Sequence, residues 1–247
     1  DVGSPPARAK PDATSRDGAI ADAMEAALVP TDLDLGDDVA IAVRYVPKAD
    51  LIGGDFYDVL AVDGGSLFLM GDVAGHGLDA AQVMATMRAY LRGLGFEHGD
   101  PSTILRIANE LLVQDPRADL VTAVVARWEG RWRRLSLASA GHVPPLVRFP
   151  DGTVEVLLAE RGPVLGAFDD GNWATFTRTL GPATTVLLYT DGLIEQRAPD
   201  LADGIRSIVD RWASTDGDDI ESVADALMAG VPDSPRDDVA LAVIRFD

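Results

Sequence analysis

Apolar positions along this chain fall into short runs whose period changes from two to helical and back. Residues 39–46, VAIAVRYV, set Val39, Ile41, Val43 and Tyr45 on one face of a strand. GGDFYDVLAV and SLFLMGDVA read as a hairpin around Asp63-Gly64-Gly65. From Leu78 the period becomes helical, with Val83, Met84, Met87, Leu91 and Leu94 on one side. A second helix opens with Asp100 as N-cap and Pro101 at its first position, then runs through Ile104, Leu105, Ala108, Leu111 and Leu112. Strands return as LVTAVVARW and RWRRLSLASAG around Glu129-Gly130, VPPLVRF and TVEVLL around Asp151-Gly152, then WATFTRTL and TTVLLYT. Helices over about 201–213 and 218–229 precede a last strand, VALAVIRF. Strands in antiparallel succession with helices inserted in pairs predict an α+β domain: two packed antiparallel β-sheets flanked by helices, an α-β-β-α sandwich.

Residues 1–18, rich in Pro, Ala, Ser and charge without periodicity, read as a flexible linker. AIADAMEAALVP follows, an amphipathic helix over 19–29 with Ile20, Met24, Ala27 and Leu28 on one face, ended by Pro30. The start at Asp1 rather than Met suggests a piece of a longer protein. The single domain is expected over 19–247.

Charge and composition narrow the function. Forty acidic against twenty-one basic residues give a formal net charge of -19, which repels nucleic acid and anionic membranes. No run is long enough to span a membrane and residues 1–18 lack a signal-peptide core, so the cytoplasm is the expected compartment. The chain has no cysteine, which excludes disulfides, thiolate zinc sites and cysteine nucleophiles. Asp outnumbers Glu 32 to 8, so a lone Asp means little without its neighbours.

Four acidic sites do have telling neighbours. Gly54-Asp55, Gly71-Asp72, Asp191 in YTDGLIE and Asp237-Asp238 in RDDVALAVI all stand at the edges of apolar strands. Carboxylates converging there would be desolvated and mutually repelled unless cations lay between them. Oxygen-only donors suit hard divalent ions, Mn(II) or Mg(II), and two such ions could activate a water against a phosphate ester. Spacing alone leaves a second reading open, in which the Asp-Gly pairs are ordinary turns.

In order along the chain, GGDFYD, GDVAGHG, ASAGHVPPLV, GPVLGAF, TDGLIE and DDVALAV resemble the motifs of PPM-type, metal-dependent protein serine/threonine phosphatases. The bacterial branch typified by the stage II sporulation protein E phosphatase domain is the nearer match, over roughly residues 20–247. The resemblance implies hydrolysis of phosphoserine or phosphothreonine by water activated between two Mn(II) or Mg(II) ions. It implies Asp55 on one metal, Asp72 bridging both, the Val73 carbonyl as a further ligand, and Asp191 with Asp237 completing the shell of the second metal. Asp238 stands where the wider family often has Asn. His76 falls where a general acid for the leaving oxygen has been suspected, although related bacterial domains do not all keep it. Asp58 and Glu195 could hold water on the metals or pair locally. His142 is expected to shape a loop with Pro144 and Pro145, His98 to end a helix in solvent, and Trp128, Trp132 and Trp173 to pack within strands.

The expected partner in this branch is a phosphorylated anti-sigma factor antagonist, with a sensor domain upstream and a regulatory or homodimer role for the helix at 19–29. The alternatives are a pseudophosphatase that binds a phosphoprotein without turnover, and a calcium-binding module. The second is disfavoured because TDGDDIE only grazes the calcium-loop pattern.

Overall fold

Strands buried on both faces cannot alternate apolar with polar residues, and the runs SLFLM, TAVVA, TVLLY and VALAVI follow from that. A computed structural model describes residues 35, 38–48, 53–116, 119–157, 161–195, 200–215, 217 and 219–247. The linker at 1–18 and the helix expected at 19–29 lie outside the described residues.

Eleven strands form two sheets among the described residues. The first has the order β1 (Val39–Val46), β11 (Val239–Phe246), β10 (Thr184–Tyr189), β6 (Leu146–Arg148) and β7 (Val154–Val156). The second runs β2 (Phe56–Val62), β3 (Gly65–Val73), β4 (Val121–Glu129) and β5 (Arg134–Ala140). Both β8 (Arg161–Gly162) and β9 (Phe176–Thr179) pair with β5. All pairings of named strands are antiparallel except β5 with β8, a two-residue parallel contact that no sequence period announces.

Three apolar layers hold this stack together. Phe68, Met70, Val124 and Trp128 of the second sheet meet Val186, Leu188, Ile244 and Phe246 of the first. The outer face of the second sheet packs on α1 (Leu78–Glu97) and α2 (Pro101–Leu112) through Leu67, Leu69, Met84, Met87, Leu91 and Leu105. The short α3 (Gly192–Glu195), α4 (Leu201–Ala213) and α5 (Ile220–Met228) cover the first sheet through Leu187, Leu193, Ile208, Trp212 and Val223. The result is the α-β-β-α sandwich that the sequence predicts.

Local chemistry fixes the element ends. Asp100 caps α2 by accepting from the Thr103 amide at 2.9 Å, with Pro101 at the first position. The buried face of that helix takes Asn109 rather than the expected Leu111, which is 37% exposed. One residue short of Leu112, Leu111 points about 100° away from the core stripe. Asn109 is satisfied there, donating to the Phe168 carbonyl and accepting from the Gly166 amide.

Two tryptophans depart from the expected strands. The β4–β5 connection is a 3₁₀ turn over Gly130–Trp132 closed by Arg133 at φ 49°, which leaves Trp132 60% exposed. Trp173 precedes β9; it is buried, with Nε1 donating to the Pro163 carbonyl at 2.9 Å. Trp128 does lie in β4, against Phe246.

Asp58 takes the local-pairing role. It lies on the helix-facing side of β2, and its carboxylate accepts from Arg92 Nη1 at 2.8 and 3.0 Å and stands 3.3 Å from Arg88 Nε. The Val59 amide adds a bond at 2.9 Å. A charge withdrawn from water this completely is tolerated only when paired and hydrogen-bonded, and the pairing ties β2 to α1.

Candidate metal centre

Hairpin register brings the first two acids together. Phe56 pairs with Gly71, so the next step outward sets Asp55 opposite Asp72 at the open end of the second sheet. In the first sheet Tyr189 pairs with Leu241, and the Thr190 amide donates to the Ala240 carbonyl at 3.0 Å. Asp191 and the Asp237-Asp238 pair therefore emerge at one end of adjacent strands. A bond between the sheets joins the two ends: Thr190 Oγ1 donates to Asp55 Oδ2 at 2.6 Å.

Close backbone approach makes this possible. A Cβ on Gly54 would collide with the Val73 carbonyl oxygen and stand 2.8 Å from Asp72 Oδ1. One on Gly53 would overlap the Asp238 carboxylate, which accepts from the Lys48 amide at 2.7 Å and from the Asp55 amide. Asp238 is thus buried and holds the loop in front of Asp55, whereas Asp237 is exposed, with Oδ1 accepting from the Asp238 amide at 3.0 Å.

Electrostatics record the crowding. Burial, then the charge of Asp72, pushes the Asp55 carboxyl well above the usual range, against the pull of Thr190. Burial and the charges of Asp191, Asp237 and Asp238 push Asp72 up to about 7, with a hydrogen bond to Asp55 opposing. Asp191 and Asp238 are raised as well, chiefly by burial, with Asp237 adding to each. A carboxyl–carboxyl hydrogen bond needs a proton between the oxygens, which takes the place that a cation would fill. Among the described residues no three His, Asp or Glu side chains are already arranged to hold a metal ion. The five acids share one field without forming a closed cage. As a donor set of hard oxygens, they fit Mn(II) or Mg(II).

The other expected residues differ in how they stand to these acids. Val73 ends β3 with its carbonyl against Gly54. His76 is exposed in the loop between β3 and α1. Exposed Glu195, ending α3, is raised by partial burial and by Asp191 and Asp237, while Lys48 and Arg236 lower it. His98 is the half-buried C-cap of α1.

His142 does more than shape a loop. It is 2% exposed, its Nδ1 lies 2.8 Å from Thr122 Oγ1, and its Nε2 lies 3.1 Å from the Tyr189 carbonyl. A carbonyl only accepts, so the proton is on Nε2 and Nδ1 accepts from threonine. Thr122 pairs with Asp72 across β3 and β4, and Tyr189 lies two residues before Asp191. One neutral imidazole therefore struts the two sheets behind the acids. Sequence reasoning missed this role and that of Thr190, because neither partner is near in sequence.

Burial lowers His142 from 6.5 to about 4. Below pH 6.5 the unfolded chain takes up a proton that the folded one refuses, so this contribution to stability is present above 6.5 and lost as pH falls towards 4. The loss should be about 3 kcal/mol. Denaturant titrations of metal-free protein and of His142→Gln should show their stability difference shrinking by that amount between pH 7.5 and pH 4. A constant difference would mean that His142 is not neutral and sealed.

Comparisons with known proteins agree with the fold. The profile of the family described as Stage II sporulation protein E (SpoIIE) matches residues 62–247. The phosphoserine phosphatase RsbU of Bacillus subtilis is 26% identical over 221 residues, 86% of this chain and 63% of RsbU. RsbP, a phosphoserine phosphatase of the same organism, is 26% identical over 172 residues, 66% of this chain and 42% of RsbP. The chain thus spans less than two thirds of these relatives. Among solved structures, the SiaA-PP2C domain of Pseudomonas aeruginosa superposes with a TM-score of 0.74 at 25% identity, covering 95% of this chain and 96% of that one. The RsbU and RsbW domains of a Mycobacterium tuberculosis protein give a TM-score of 0.76 at 26% identity over 85% of this chain and 60% of theirs.

Proposed function

The chain belongs to the stage II sporulation protein E family of PPM-type phosphatase domains, and on that basis we propose that it hydrolyses phosphoserine or phosphothreonine on a regulatory protein, using two Mn(II) or Mg(II) ions. What supports this reading is the convergence of Asp55, Asp72, Asp191 and Asp237 from both sheets, where burial first and then the charges of Asp191, Asp237 and Asp238 push the Asp72 carboxyl up to about 7.

Asp55, Asp72, Asp191 and Asp237 would hold the ions, with the Val73 carbonyl as a further donor. Bound there, the ions would neutralise the carboxylates, activate water near neutral pH and polarise the phosphoryl oxygens. Thr190 fixes one oxygen of Asp55, and Asp238 holds the Asp55 loop through backbone amides. Water attacks phosphorus, the bond to the serine oxygen breaks, and that oxygen needs a proton. The family resemblance offers His76, exposed in the loop after β3, as the imidazole that would supply it. The net charge of -19 gives a phosphoprotein no long-range attraction, so binding falls to the metals and a local surface, where, among the described residues, Lys48 and Arg236 are cations close enough to act on Glu195.

The likeness to RsbU and RsbP supports a phosphorylated anti-sigma factor antagonist as the substrate. The upstream sensor, the homodimer contact through residues 19–29 and the cytoplasmic setting belong to the same reading. Among the described residues no helix is long and apolar enough to cross a membrane.

A second reading, a phosphoprotein-binding module without turnover, draws on the absence of a closed ligand cage among the described residues. Phosphate release from a phosphoserine protein, with Mn(II) and with EDTA, separates the two. Turnover that requires Mn(II) establishes the phosphatase; Mn(II) binding and substrate retention without phosphate release establish the module.

A further inference from the structure

The far end of the first sheet carries a different chemistry. Thr185 of β10 pairs with Arg148 of β6 on one side and with Arg245 of β11 on the other. Cross-strand partners share a face, so the three side chains form one row across the sheet. Two residues along each strand, Leu187, Leu146 and Val243 pack in the layer beneath α4 and α5, so the row faces those helices too. A cavity of about 100 Å³ opens at that point, lined by the row and by Trp212, Ile220 and Val223 among others.

Among the described residues, the polar side chains that line it are Arg148, Thr185, Arg245 and the Trp212 indole. Trp212 is fully buried, yet its indole Nε1 has no hydrogen-bond partner; Arg148 Nε is buried and has none either. Arg148 Nη2 donates to the Thr215 carbonyl at 3.0 Å, and among the described residues Arg148 has no carboxylate partner. Arg245 is ion-paired with Asp247 at 2.9 Å. The other buried tryptophan indoles are satisfied, Trp128 by Asp38 and Trp173 by Pro163. A buried donor left unmade costs about 1–3 kcal/mol, and indole and guanidinium can only donate.

We propose that this cavity is a binding site for a small oxyanion of the size of inorganic phosphate, held by Arg148, Thr185 and the Trp212 indole N–H, with Arg245 at its edge. An oxyanion accepts from several donors at once and neutralises guanidinium charge, whereas a water accepts only two bonds. The volume matches about three waters at roughly 30 Å³ each, enough for one such anion and too little for a nucleotide. Thr185 lies six residues before Asp191, about 20 Å along the strand at ~3.3 Å per residue, so the site is separate from the carboxylate centre. The proposal does not depend on the phosphatase reading.

The test uses the four indole N–H signals in ¹H–¹⁵N spectra of metal-free protein. Trp212→Phe identifies the Trp212 signal, and inorganic phosphate is titrated against chloride at constant ionic strength. The Trp212 signal should move and saturate, with sulfate acting similarly. Arg148→Met and Thr185→Val should each weaken the response at least about tenfold while the other three indoles stay in place, certifying the fold. Asp191→Asn should leave the response unchanged. The site is overturned if the Trp212 signal ignores both anions, if it moves equally in every folded variant, or if Asp191→Asn abolishes the response.

Discussion

Asp191→Asn is expected to abolish metal-dependent phosphate release and, at the same time, to raise the melting temperature of the metal-free protein. The first effect follows if Asp191 is a direct ligand: the loss should exceed the ~10–100-fold that removal of a ligand's outer partner costs. The second follows from repulsion. Asp191 is one of the charges that push Asp72 up to about 7, and it adds to the strain on Asp55. An amide there keeps the shape and deletes the charge, and 1 kcal/mol so relieved is worth ~2–4 °C in a domain of this size. Activity assays with Mn(II) and thermal melts in EDTA give both numbers from one preparation. A variant that loses activity and also melts lower without metal would show Asp191 to be a structural group, such as the N-terminal cap of α3.

Metal removal should destabilise the protein far more at pH 8 than at pH 5. A carboxyl with a native pKa above its unfolded value binds its proton more tightly when folded. What Asp72 contributes is therefore fully present below 3.8 and lost as pH rises through about 7. The loss is on the order of 4 kcal/mol for Asp72 alone, and Asp55, raised in the same direction, adds to it. Divalent ions binding only the folded state restore stability where the protons have left, by about 2.7 kcal/mol at a hundred times Kd. Denaturant unfolding with Mn(II) and with EDTA at both pH values measures the difference, from which the opposing contribution of His142 cancels. Equal effects of EDTA at pH 5 and pH 8 would mean that the acids do not share a cation site.

Sequence periodicity was enough for the long elements because burial dictates it. Met84, Met87 and Leu91 could share a stripe only on a helix, and VALAVIRF could be buried on both faces only as an inner strand. Edges were harder to read. Two-residue β8 has no period, and the β4–β5 turn lengthened into a 3₁₀ segment that pulled Trp132 out of the core. For the site, strand-end position flagged Asp55, Asp72, Asp191 and Asp237, since a carboxylate beside an apolar run invites a question. The supports stayed hidden: His142 meets Thr122 and Tyr189 at separations of 20 and 47 residues, and Thr190 meets Asp55 at 135. Contacts of that span are set by how the two sheets pack, which no local pattern encodes.

Strand β11 lies between β1 and β10, pairing Val39 with Phe246 and Thr184 with the same Phe246. Neither neighbour has another route to the other, so the first sheet can close only once β11 is in place. Joining residues some two hundred positions apart makes the loop-closure entropy large and the nucleus slow to form. Asp237 sits at the entrance of that strand. On the proposed metal reading, a chain that has not inserted β11 would display the hairpin acids without Asp237 and could not complete the centre.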